Sequence, residues 1–159
     1  MAVAIALGAV DADRLEQVDT YFQCGDGRLK LRENSSRESG ESAELIWYAR
    51  PNDSSARTSR YLVVDVPNPA AVRDTLDAGL GTRVVVRKSR HLFVWDNVRI
   101  HLDDVDELGR FLEFEAVLAA GQQEEDGFGQ LATLREKFVI ADEDVVGASY
   151  SDLLEQLPG

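Results

Sequence analysis

A chain of 159 residues that is 44% hydrophobic and 29% charged has the size and composition of one globular domain with its own core. Its 29 acidic residues outnumber its 17 basic ones, and a net charge of −12 repels nucleic acid and anionic membranes, which excludes a nonspecific polyanion binder. The apolar opening, Met1 to Val10, has no basic residue before it and is too short to span a bilayer, so it reads as part of the fold. The lone cysteine, Cys24, cannot close an internal disulfide, which fits a cytoplasmic protein.

Taken in chain order, period-two alternation predicts strands at Val18 to Phe22, Arg28 to Arg32, Glu44 to Ala49 and Arg60 to Val66. Between the first two, Gly25-Asp26-Gly27 reads as a hairpin turn. The polar runs Asn34 to Ser42 and Asn52 to Ser59 read as exposed loops. Asn68 before Pro69 has the form of an N-cap with proline in the first turn, and Gly79 and Gly81 stop the helix, which predicts a helix from about Pro69 to Ala78. Further strands are predicted at Val84 to Arg90, Leu92 to Asp96, Val98 to Asp103 and Phe111 to Leu118, with Asp96-Asn97 as a turn. A second helix over Phe128 to Phe138 has Leu131, Leu134 and Phe138 along one face, and a short third follows Ser149 or Ser151. Many strands with few helices make an α+β antiparallel meander, and their number favours closure or strong curling.

The strands divide sharply into faces. Leu29 and Leu31 oppose Arg28, Lys30 and Arg32; Val98, Ile100 and Leu102 oppose Arg99, His101 and Asp103; Leu112, Phe114 and Ala116 oppose Glu113 and Glu115. The plain reading is a solvated polar exterior over an apolar core. Against it stands the concentration of Arg28, Lys30, Arg32, Arg50, Arg60, Lys88, Arg90 and Arg99 on strands of an acidic protein. If these line a barrel interior, their mutual repulsion calls for a dense anion such as a triphosphate. Glu113 and Glu115 point the same way along one strand, and such a pair beside bound phosphates suits Mg²⁺.

Several segments in order resemble the CYTH superfamily, which includes class IV adenylate cyclases, thiamine triphosphatases and inorganic tripolyphosphatases. They are Asp19-Thr20-Tyr21-Phe22, Gly27 to Glu33, Ala43 to Pro51, Ser59-Arg60-Tyr61, Val86 to Arg90 and the long Val98 to Glu115; Ser149 to Leu154 resembles the C-terminal segment. The resemblance implies one domain, an eight-stranded antiparallel β-barrel tunnel with peripheral helices and a hydrophilic interior. It implies Lys30, Arg32, Lys88, Arg90 and Arg99 as phosphate ligands with Arg60 a further candidate, and Glu113 and Glu115 as ligands of Mg²⁺ or Mn²⁺. Glu44 is a weaker acidic candidate, Asp103 is expected to orient a basic residue or water, and His101 is either a structural or a catalytic histidine. The implied ligand is ATP or another triphosphate. The leading activity is conversion of ATP to cyclic AMP and pyrophosphate, beside hydrolysis of tripolyphosphate, thiamine triphosphate or a nucleoside triphosphate, and beside a non-catalytic triphosphate-binding module. No residue stands out as a general base. The family's opening Glu-x-Glu-x-Lys strand has no counterpart before Asp19, so the first strand is expected to be missing, through an internal start or a real loss, with activity impaired.

Overall fold

The computed structural model describes residues 1–49, 60–118 and 123–158. Their strands form one antiparallel sheet: β1 (Val10–Phe22), β2 (Arg28–Ser36), β3 (Gly40–Ala49), β4 (Arg60–Asp65), β5 (Thr82–Trp95), β6 (Val98–Val105) and β7 (Gly109–Ala116). The order across the sheet is β4-β3-β2-β1-β5-β6-β7. Among the described residues the sheet therefore has seven strands, and its edges, β4 and β7, do not pair with each other. The antiparallel α+β expectation is met, and closure of eight strands into a barrel is not seen among the described residues.

Curvature is nevertheless strong, because β3 and β6 are separated by three strands and yet share a buried cluster. In it Ile46 and Tyr48 of β3 join Tyr21, Val86 and Val105, with Phe111 and Leu154 packed against them. Only a sheet curled into a cup brings these strands together across its concave side.

The outer side of the cup carries the apolar halves of the strands. Phe22, Leu31, Ala43 and Val66 are buried there beneath Val72 and Leu76 of α2 (Pro69–Leu80). Phe93, Val98 and Ile100 are buried with Ala4 of α1 (Ala2–Ala6) and Leu134 of α3 (Glu124–Lys137), which also covers Leu112 and Phe114. Helices thus remove the apolar faces from water, and the charged faces are left to line the inside.

Local expectations held at the helix ends. The Asn68 side chain accepts from the Ala71 amide, Pro69 opens α2, and Gly81 with φ of 83° ends it. Ser149 and Asp152 form a capping box at the start of α4 (Tyr150–Glu155). Gly27, at φ of 68°, lies so near β3 that a Cβ would stand 2.7 Å from the Tyr48 carbonyl oxygen. Several boundaries differ. The strands read at Val84 to Arg90 and Leu92 to Asp96 are one, β5, which ends at Trp95 and pairs with β1 along most of its length and with β6 from Lys88 to Trp95; β1 begins eight residues before Val18; α3 begins four residues before Phe128; and Asn34 to Ser42 is a tight hairpin whose serines and asparagine stay in register. The loop read at Asn52 to Ser59 lies outside the described residues.

Candidate functional site

Strand register decides which side chains meet inside the cup. Asp19 on β1 stands opposite Arg32 on β2 and Val86 on β5, so Gln17, Asp19 and Tyr21 share a face with Lys30, Arg32 and Lys88. On the far side Arg90 stands opposite Asp103, while His101 faces Glu113 and Arg99 faces Glu115. The inward face is thus Asp19, Lys30, Arg32, Lys88, Arg90, His101, Asp103, Glu113 and their neighbours. Lys30, Lys88, Arg90, His101, Asp19 and Asp103 are all buried, none more than 7% exposed. A solvated polar exterior is excluded for these strands.

Two carboxylates organise the cations. Asp19 accepts two hydrogen bonds from Arg32, at 2.7 and 2.7 Å, and one from Lys30 at 2.8 Å, with the Lys88 ammonium 3.5 Å away. Asp103 accepts a bidentate pair from Arg90 at 2.7 and 2.6 Å and a further bond from the Tyr150 hydroxyl at 3.0 Å. Tyr150 comes from α4, which stoppers the apolar end of the cup: its ring lies against Phe111 and under the Lys88 ammonium. Arg28 holds the helix through Asp152 at 2.6 Å, and Arg83 bonds both Asp152 and Glu155.

Protonation follows from this crowding. Burial, reinforced by the Arg32 charge, pushes Lys30 down to about 7, although Asp19 opposes the shift. Lys88 is lowered for the same reason. Burial alone would raise Asp19, but Lys30, Arg32 and Lys88 hold it well below the usual carboxylate range. Glu113 keeps part of its side chain in water, yet the protein around it still works against its charge; the His101 hydrogen bond with the Arg90 charge overrides this and holds the carboxyl below its ordinary range. Packing this many charges out of water contributes little net stability.

The acidic pair occupies the accessible part of the cup. Glu113 and Glu115 side chains are 41% and 39% exposed. Glu113 takes Arg90 at 3.0 Å and His101 at 3.4 Å, and Glu115 takes Arg99 at 3.3 Å, in every case on Oε2. The Oε1 atom of each has no protein hydrogen bond among the described residues. Two hard oxygen donors on one strand face fit Mg²⁺ or Mn²⁺ shared with phosphate oxygens. No group of three acidic, histidine or cysteine side chains stands ready to hold an ion unaided among the described residues, so such a metal depends on the ligand for the rest of its shell.

The structure brings the buried Lys30, Lys88 and Arg90 together with the half-buried Arg32 as one layer, with Arg99, Glu113 and Glu115 at its accessible rim. Glu44 stands opposite Arg32 in the β2–β3 register, beside that layer. Asp103 orients Arg90, and His101 bridges toward the acidic pair. Arg60 opens β4, its side chain lying outside the described residues, as does Arg50. Sequence reasoning passed over Asp19, Tyr150 and Gln17 as site residues. Asp19 and Gln17 carry a signal that was available: they continue the inward period of β1.

The described residues thus form an antiparallel α+β cup with a basic layer inside it and an acidic rim. The CYTH domain pattern matches residues 2–150, and the chain belongs to the CYTH domain family. Solved structures agree on the fold. PH1012 from Pyrococcus horikoshii OT3 is similar with a TM-score of 0.81 at 22% identity, over 96% of this chain and 90% of that one. PH1819 from the same organism is similar with a TM-score of 0.82 at 20% identity, over 98% and 92%. A Vibrio parahaemolyticus protein described as a putative adenylate cyclase is similar with a TM-score of 0.69 at 16% identity, over 97% and 91%. No curated protein matches the chain. No helix among the described residues is long and apolar enough to cross a membrane.

Proposed function

We propose that the cup binds the triphosphate of ATP or a related ligand together with Mg²⁺ or Mn²⁺, and turns it over in the manner of a class IV adenylate cyclase. The observation that carries this reading is the convergence of four cations, the buried Lys30, Lys88 and Arg90 and the half-buried Arg32, on only two buried carboxylates. A triphosphate competes with Asp19 and Asp103 for those cations and offers more charge than both. Membership of the family supports it, as does the likeness of the fold to the Vibrio protein.

Lys30, Arg32, Lys88 and Arg90 bind and aim the phosphates, and their fixed positions favour charge that develops on the transferring group. Arg99 reaches phosphate oxygens from the rim. Glu113 and Glu115 would hold the metal, which neutralises phosphate charge and polarises a phosphoryl oxygen when bound. In cyclisation the ribose 3′-hydroxyl gives its proton to water, its oxygen bonds to the α-phosphorus, the bridge to the β-phosphate breaks, and pyrophosphate leaves. Hydrolysis, the second reading, uses the same cations with water as nucleophile, and the shared layer of Lys and Arg favours both alike.

The test is product analysis after incubation with ATP and Mn²⁺. Cyclic AMP and pyrophosphate support the cyclase reading; ADP and phosphate assign hydrolysis; binding without any product assigns a module that senses triphosphate. Failure of ATP and tripolyphosphate to bind at all refutes the proposal.

A further inference from the structure

The two edges of the sheet are built differently. β7 carries Arg110, Glu113 and Glu115 and has α3 packed on it, and charges with a covering helix are the usual guards of an edge strand. β4 has β3 as its one strand partner among the described residues, and its central residues, Tyr61, Leu62, Val63 and Val64, carry no charge. They are 51%, 64%, 51% and 61% exposed, the longest run of exposed large apolar side chains among the described residues.

Both faces of the strand share this exposure. Tyr61 and Val63 turn inward, since Tyr61 stands opposite Tyr48 of the inner cluster, and Leu62 and Val64 turn outward, since Val64 stands opposite Leu45 beneath α2. A helix laid on one face leaves the other in water, whereas a strand laid alongside covers part of both and supplies backbone partners along the edge. The charge selects which strand. Two copies of a chain with a net charge of −12 repel over most of their surface, and Tyr61 to Val64 is a stretch where they do not. A two-fold axis perpendicular to the sheet, centred on Leu62 or Val63, sets outward positions against outward ones and inward against inward, so apolar side chains meet apolar side chains on both faces. Pairing β4 with β7 instead sets the same residues against a charged strand and propagates without closing.

We infer that β4 is a dimer interface, where it pairs antiparallel with β4 of a second copy of this chain and joins the two sheets into one. The pairing involves none of the cations of the inner layer and does not depend on the triphosphate reading.

The experiment is sedimentation of the full chain over a concentration series, with hydrogen exchange of the β4 amides measured at both ends of that series. The native chain should pass from monomer to dimer and stop there, and the β4 amides should gain protection as the dimer forms. Added salt should tighten the dimer, because it screens the charge that the two copies share. Leu62→Lys lessens the net repulsion, yet it removes a leucine from each side of the interface and places like charges near the axis, so it should weaken dimerisation by roughly a hundredfold. Its melting temperature should stay near native, since the position is exposed. A chain that is monomeric at every concentration overturns the inference, as does a dimer no weaker in Leu62→Lys. β4 amides that exchange alike in monomer and dimer also overturn it, and that comparison needs no variant. Assemblies that grow beyond the dimer indicate open-ended pairing, and a dimer that salt loosens is held by charge; either result overturns it too.

Discussion

Replacing Asp19 by Asn is the sharpest perturbation of the buried layer, because it changes one charge and almost no volume. Asp19 is 1% exposed and meets Lys30 at 2.8 Å, Arg32 through two bonds of 2.7 Å and Lys88 at 3.5 Å. The variant leaves three cations around a neutral amide, and removing one partner from a buried ion pair costs about 3–5 kcal/mol. Lys30 has an escape, since its protonation already lies near neutrality and it can shed its proton. The loss should therefore approach the full range at pH 6 and shrink by pH 8. Tripolyphosphate restores the missing negative charge, so it should raise the urea midpoint of Asp19→Asn more than that of the native chain. Urea unfolding at both pH values, with and without tripolyphosphate, measures this. A variant within about 1 kcal/mol of native stability at pH 6, or one that gains no more from tripolyphosphate than the native chain, refutes the claim that Asp19 stands in for the ligand.

Lys30 is depressed when folded, to about 7, against about 10.4 when unfolded, so between these values the unfolded chain binds more protons and stability should rise with pH. Urea midpoints at pH 7, 8 and 9 should climb by at most about 1.4 kcal/mol per unit for this one group, and a fall across that window contradicts the assignment. Above pH 10 the raised Tyr21 reverses the trend, because its phenol ionises only in the unfolded chain. Gly27→Ala should destabilise the fold by about 1–3 kcal/mol from the left-handed backbone alone, with the close Tyr48 carbonyl adding to it; an unchanged melting temperature would mean the turn rearranges freely. Glu113→Gln with Glu115→Gln should abolish the dependence of triphosphate binding on Mn²⁺, and a titration in which that dependence persists removes both from the metal site.

The division of each strand into an apolar and a charged half was legible in the sequence, and so was the helix cap at Asn68, while the last helix was left to start after Ser149 or Ser151 and is capped by Ser149. Which half faces inward was not, because alternation has the same period either way. Only the placement of α1, α2 and α3 over Leu31, Ile100 and Phe114 settles it, and those contacts join residues far apart in the chain. Lys30, Arg32, Lys88 and Arg90 were found as a set from composition and resemblance. Asp103 was read as a residue that orients a basic group, which it does for Arg90, but Asp19 escaped notice as a counter-charge, since a lone aspartate on a strand looks alike whether it meets water or three cations. The polar hairpin over Asn34 to Ser42 was misread as a loop for a related reason: its Ser and Asn side chains find partners across the strands, which loop statistics do not anticipate.

The central claim is that the buried cations exist to hold a triphosphate. Calorimetric titration of tripolyphosphate and of AMP, each with Mn²⁺, into the native chain and into Lys88→Ala tests it most directly. The account predicts much tighter binding of tripolyphosphate than of AMP, and a loss of about 1.5–3 kcal/mol in tripolyphosphate affinity for Lys88→Ala, the range for a hydrogen bond to a charged group. Equal affinity for the two ligands, or a Lys88→Ala chain that binds tripolyphosphate as the native one does, would contradict it.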